Sequence, residues 1–132
     1  MSSQETLVKY YEALSIGDLD TVADCMDIPS KFISLYGVVE HANREDVIET
    51  YRGIIDSWNA QGISNKIGYK AEEFEVTRIQ KNAELIKTSL SNFDLSGNFL
   101  QTWDCTYVLR FHDGKWLVSL GTTNNERTVS MK

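Results

Sequence analysis

Along the chain the spacing of apolar residues changes once, from a helical period to alternation, near residue 68. In "SSQETLVKYYEALSIGD" Leu7, Tyr10, Tyr11 and Leu14 stand at i, i+3, i+4 and i+7, and Ser2 with Glu5 has the spacing of a capping box. Gly17 is suited to end that helix, because it takes the left-handed conformation without a Cβ clash. Asp18 then caps a second predicted helix, whose stripe is Leu19, Val22, Ala23 and Met26. "KFISLYG" reads as a short strand, with the single proline, Pro29, expected in the connection before it. Asn43 and Asp46 open a third helix whose broad apolar face is Val47, Tyr51, Ile54, Ile55 and Trp58, ending before Gly62.

The alternating part predicts strands over 69–79, 84–95, 99–112 and 115–124, with "SGNF" and "HDGK" as two-residue hairpin turns. Counting back from those turns opposes Asn92 to Trp103, Leu90 to Cys105, Tyr107 to Leu120 and Cys105 to Thr122. Opposed residues share a face, so one face collects Ile86, Leu90, Trp103, Cys105, Tyr107, Leu109, Phe111, Trp116, Val118 and Leu120. Its polar members, Thr88, Asn92, Gln101, Tyr107, Thr122 and Asn124, gather at the end away from the Asp113–Gly114 turn. An apolar floor with polar groups at one end is the pattern of a small-molecule pocket, and also of a core with a wet margin. The opposite face mixes Lys87, Ser89, Asp104, Thr106 and Arg110 with Leu85, Phe93 and Val108, a composition suited to a wet dimer interface. Three helices followed by a meander make an α+β arrangement, with the helices laid on one face of a mainly antiparallel sheet.

At 132 residues the chain has the length of a single domain, 1–132, with 42% apolar and 24% charged residues. A formal charge of −6 with no basic cluster argues against nucleic acid and against an anionic membrane surface as partners. The start lacks a basic and apolar leader, and no run approaches a membrane-spanning length, so the cytoplasm is the expected location. Cys25 and Cys105 stand far apart without metal-ligand spacing, which predicts reduced, half-buried thiols. No dinucleotide fingerprint, phosphate loop or Ser-His-Asp set is present, so neither cofactor nor metal is expected.

Helix, Gly-Asp, helix, short strand, long helix and a meander closing on "VLRFHDGKWLVSL" resembles the nuclear transport factor 2-like superfamily over nearly the whole chain. The resemblance implies three N-terminal helices on a strongly curved sheet that forms a cone with an internal cavity, and homodimers through the sheet's outer face. Within the superfamily the segments look most like ketosteroid isomerases and SnoaL-like polyketide cyclases. "KYYEALSIGD" puts Tyr10 on the isomerases' oxyanion-hole tyrosine, and "REDVIETYRG" puts Tyr51 on a second tyrosine of that network. Tyr10 is thus expected to face the cavity, with Tyr11 as its packing partner. Two departures follow from the same matching. The isomerase general base falls at Ser34, and its protonated aspartate falls at Tyr107. A serine without a partnered base does not remove a carbon-bound proton at neutral pH, so ketosteroid isomerisation is not expected.

The candidate ligand-binding residues are therefore Tyr10, Tyr51, Asn92 and Tyr107 as hydrogen-bonding groups and Trp103 as an aromatic wall; the bland reading of each is a satisfied core side chain. His41 lies in a connection within reach of the cavity rim, where a surface histidine is the commoner outcome, and His112 before the Asp-Gly turn is expected to be exposed. Asp94 has inward parity but decorates a turn, and Cys105 points inward without an activating base. Two functional readings stand. One is a dimeric domain holding a small apolar or polyketide-like ligand, with cyclase, isomerase or dehydratase chemistry left open. The other is a non-catalytic dimerisation or docking module.

Overall fold

In the computed structural model, which describes residues 1–34 and 37–124 with Asn124 by its backbone alone, local caps set the helices. α1 (Ser3–Ile16) opens on a complete capping box: the Ser2 hydroxyl accepts from the Glu5 N–H at 3.1 Å, and the Glu5 carboxylate accepts from the Ser2 N–H at 2.9 Å. It stops at Gly17, whose φ of +74° strains any residue with a Cβ. Asp18 accepts from the Thr21 N–H at 3.1 Å and starts α2 (Leu19–Asp24). α2 is shorter than its apolar stripe suggests, because Met26 already belongs to β1 (Met26–Ser34). Pro29 accordingly lies within a strand and not in a connection. β2 (Gly37–His41) follows, and residues 35–36 of the expected "KFISLYG" strand lie outside the described residues. α3 (Arg44–Ala60) is capped by Asn43, which accepts from the Asp46 N–H at 2.9 Å.

The remaining strands are β3 (Ile63–Gly68), β4 (Glu75–Gln80), β5 (Ala83–Asp94), β6 (Phe99–His112) and β7 (Lys115–Asn124). They make one sheet in the order β2-β1-β7-β6-β5-β3, with β4 also on β5. Every pairing is antiparallel except β1 with β7. β3 and β4 share one edge of β5, β3 along its end and β4 along its start. The strand expected over 69–79 is thus broken at its beginning by a single 3-10 turn, Ala71–Glu73, which brings Tyr69 and Phe74 against the Tyr11 ring at centroid distances of 5.1 and 6.4 Å.

The two hairpins depart from the counted register in different ways. Between β5 and β6 the turn is longer than two residues: the Asp94 N–H donates to the Asn98 carbonyl at 2.8 Å, and the Asp94 carboxylate accepts from the Ser96 and Asn98 N–H groups, each at 2.9 Å. Asn92 consequently opposes Gln101, and Leu90 opposes Trp103. A slip of two preserves parity, so the same β5 and β6 residues face inward. Between β6 and β7 the turn is as counted, with Phe111 opposite Trp116 and Leu109 opposite Val118. Ser119 is then an extra residue on β7, after which Tyr107 opposes Gly121 and Cys105 opposes Thr123. Leu120 and Thr122, expected inward, face outward; the Asn124 side chain lies outside the described residues. A Cβ on Gly121 would stand 3.3 Å from both the Tyr107 and the Phe32 rings, so the bulge delivers the one residue type that leaves Tyr107 its space.

The core lies between α1, α2, the first half of α3 and the inner sheet face, with Leu7, Val22, Val47, Ile86, Leu109 and Val118 fully buried. Each such side chain contributes about 1.5–3 kcal/mol. α3 is buried unevenly. Val47 and Tyr51 are sealed, while Ile54, Ile55 and Trp58 are only half-buried, because the second half of the helix roofs an open space.

Candidate functional site

That space is a cavity of about 650 Å³ bounded by α1, α3 and the inner faces of β1, β3, β5, β6 and β7. Its size falls in the usual range for small-molecule sites. Leu14, Phe32, Ile54, Trp58, Ile67, Leu90 and Trp103 supply its apolar wall. The polar wall is Tyr10, Tyr51 and Tyr107 with Ser34, Thr50, Ser57, Gln61, Gln101 and Thr123. No carboxylate, ammonium, guanidinium or imidazole lines it among the described residues.

The tyrosines form one cluster. Helical spacing on α1 directs Tyr10 into the cavity and Tyr11 against the 69–74 bend, while α3 lowers Tyr51 onto Tyr10. The Tyr10 and Tyr51 hydroxyls are 2.8 Å apart and hydrogen-bonded, with their rings edge-on at 84°. The Tyr11 hydroxyl donates to the Tyr107 hydroxyl at 2.8 Å. Four hydroxyl protons therefore serve two bonds. One proton of the Tyr10–Tyr51 pair has no acceptor in these bonds, the proton of Tyr107 has only the weakly accepting Cys105 sulfur, and all three tyrosines line the cavity. Burial holds these phenols protonated: Tyr51 is pushed up to about 12, and Tyr10, Tyr11 and Tyr107 stand well above the ordinary tyrosine value. The cluster donates hydrogen bonds, and its members are neither bases nor nucleophiles near neutrality.

A second polar group lies along the sheet. Asn92 is 0% exposed and sits behind the wall, while its partners Gln101 and Trp103 are in the wall. The Asn92 side-chain oxygen accepts from the Trp103 indole N–H and from the Gln101 amide at 3.3 Å. Asn92 Nδ2 is left as a buried donor without a partner. Such an atom costs about 1–3 kcal/mol, so this group is not arranged for stability alone.

The other sequence candidates fall as follows. Ser34 is in the wall at the end of β1. His41 is not at the surface: it is 0% exposed, with Nδ1 3.1 Å from the Ser30 hydroxyl and Nε2 3.0 Å from the Thr50 hydroxyl, one layer behind the cavity. Burial lowers its pKa and favours the neutral ring. Cys105 points inward, and burial raises its thiol to about 12, which removes it as a nucleophile. Asp94 belongs to its turn.

His112 is half-buried rather than exposed, and it leads to a site that sequence reasoning missed. Asp27, 2% exposed, accepts from its neighbour's Ile28 N–H at 2.9 Å, from Ser119 at 2.7 Å and from Arg110 at 3.3 Å, and pairs with His112 Nε2 at 2.6 Å. The common outward parity of Arg110 and His112 was a sequence signal for two of these groups; nothing local marks Asp27. Among the described residues no cluster of His, Cys, Asp and Glu is placed to hold a metal ion, and no helix is long and apolar enough to cross a membrane.

The chain's shape is shared with solved structures. A cystatin-like-fold protein of unknown function from Nostoc punctiforme superposes with a TM-score of 0.75 at 12% identity, covering 90% of this chain and 84% of that one. A ketosteroid isomerase-like protein from Erwinia carotovora atroseptica gives 0.69 at 12% identity, covering 90% and 89%. An NTF2-like protein with a cystatin-like fold from Novosphingobium aromaticivorans gives 0.72 at 13% identity, covering 91% and 77%. At these identities the likeness is one of fold. No curated protein matches the chain significantly in sequence. The family model described as NTF2-like protein (DUF6841) matches residues 2–126, and on that match, together with the cone of helices and curved sheet around a tyrosine-lined cavity, the chain belongs to this NTF2-like family.

Proposed function

We propose that this protein binds a small, uncharged, largely apolar molecule, of polyketide-like character, through a carbonyl or hydroxyl oxygen that accepts from the cavity tyrosines. The observation that carries the reading is the surplus of phenolic protons in an otherwise uncharged wall. A buried charge on the ligand would meet no opposite charge there and is disfavoured. Any chemistry at the site is confined to steps in which donors stabilise a developing oxyanion, as in cyclisation, isomerisation or dehydration. The wall residues supply no base, so the proton must be moved by the substrate itself or by water.

The working form is proposed to be a homodimer through the outer sheet face. Leu85 opposes Val108 and Val108 opposes Leu120, so the shifted register lines up an apolar row across three strands on that face. This row also favours the second reading, a docking module of the same fold.

One experiment addresses both parts. Native mass spectrometry of the purified protein, with an acetylbiphenyl ketone as probe, reads stoichiometry and adduct together. The expected result is a dimer taking up the ketone, with the double variant Tyr10→Phe, Tyr51→Phe, which removes both phenols of that pair, weakening uptake about tenfold while the chain stays folded, the loss of one hydrogen bond. A dimer that excludes the ketone sinks the ligand-binding reading in favour of docking; a monomer removes the interface.

A further inference from the structure

We infer that the Asn92 group makes Gln101 an oriented hydrogen-bond acceptor in the cavity wall, so that the site selects a ligand carrying a donor, a hydroxyl or N–H, at the end opposite its tyrosine-bound oxygen. This rests on the ligand-binding reading above and adds to it the chemistry of the ligand's second end.

The orientation follows from one group that has no choice. The Trp103 indole N–H only donates, so the Asn92 side chain must turn its oxygen toward it. Gln101 reaches that same oxygen and must therefore offer its own nitrogen. If Asn92 were reversed, its NH₂ group would face the indole N–H, donor against donor. Asn92 Nδ2 stays unpaired as the consequence, a buried donor left over so that both neighbours are held. The Gln101 carbonyl oxygen is then the atom with no partner among the described residues, on a side chain that lines the cavity. Trp103, its N–H consumed, offers the ligand only its ring.

The two ends are well separated. Gln101 and Tyr107 lie on the same strand and the same inner face, six residues apart, which is about 20 Å of strand. Donors at the tyrosine end and an acceptor at the glutamine end describe a rod-shaped hydroxyketone or its amino counterpart. A diketone or a hydrocarbon would leave the Gln101 oxygen unanswered.

The test compares an acetylbiphenyl carrying a hydroxyl on the far ring with its methyl ether, titrated against the full chain and followed by quenching of the cavity-lining Trp58 and Trp103. Wild type is expected to prefer the phenol about tenfold, one hydrogen bond. Gln101→Leu should reduce that ratio to about one by weakening the phenol and sparing the ether. Asn92 acts through Gln101 as a positioning residue. Asn92→Asp keeps the accepting oxygen and should keep the preference, whereas Asn92→Leu frees Gln101 and should lose it. Equal binding of the two probes by wild type, or a preference that survives Gln101→Leu, overturns the inference and leaves the ligand-binding reading standing. If neither probe binds, both fall.

Discussion

Two groups of buried polar atoms lie on opposite faces of the same sheet, and they are balanced differently. On the outer face the Asp27 carboxylate presents about four acceptor positions and meets a partner at each: Ile28, His112, Ser119 and Arg110. On the inner face four tyrosine hydroxyls make two bonds among themselves, keep one proton in hand and rest a second on the weakly accepting Cys105 sulfur. The Asp27 group sits where β1 leaves its ladder with β7 between Met26 and Lys31, and it closes that gap. The tyrosines border a space. A saturated polar cluster holds a fold together; one with a surplus of a single sign is a cluster waiting for a partner.

The largest effect is expected from Asp27→Ala. Removing the shared acceptor should cost about 3 kcal/mol in urea unfolding, with an unchanged m-value and unchanged ketone uptake. A cost below about 1 kcal/mol would contradict the view of this cluster as the sheet's clasp. A smaller effect is expected at Tyr11, which donates to Tyr107 from outside the cavity wall. Tyr11→Phe should cost about 1 kcal/mol and leave the Tyr107 proton available, so probe affinity stays within twofold, a factor of about 0.4 kcal/mol. A large loss of affinity would mean that the ligand draws on Tyr11 as well.

The smallest effect is a difference between the histidines, read by NMR titration. The hydrogen bond and charge of Asp27 raise His112 above 6.5, so its stabilisation is complete below that value and is lost as pH rises through the folded pKa. Burial lowers His41 below 6.5, so its contribution is present above that value and is lost as pH falls through the folded pKa. Finding both rings titrating together at the ordinary value would remove the electrostatic half of the comparison.

Features that depend on neighbours in sequence were legible in it. The capping box at Ser2 and Glu5, the left-handed stop at Gly17 and the Asn43 cap all stand where the residue types put them. So did the inward parity of β5 and β6, because the slip at the Asp94 turn was an even number. The family resemblance placed Tyr10, Tyr51 and Tyr107 together, and the structure gathers them in one wall with Trp103, while Asn92 stands behind it. What stayed hidden depended on distance. β2 is exposed except at its end, and the apolar residues of β3 do not alternate, so neither carried a strand signal. His41 is buried only because Ser30 and Thr50 close on it from β1 and α3. No pattern in β7 announces the extra residue at Ser119.

That extra residue has a consequence for how such a protein can evolve. The insertion exchanges the roles of Leu120 and Gly121: it leaves the Tyr107 and Phe32 rings their space and, by the same step, moves a leucine into the row with Val108 and Leu85. Deleting one residue there would crowd the Tyr107 and Phe32 rings and erase the patch together. The seating of the Tyr107 ring and the stickiness of the outer face are thus inherited as a single trait, written in the length of a strand and not in the choice of any side chain.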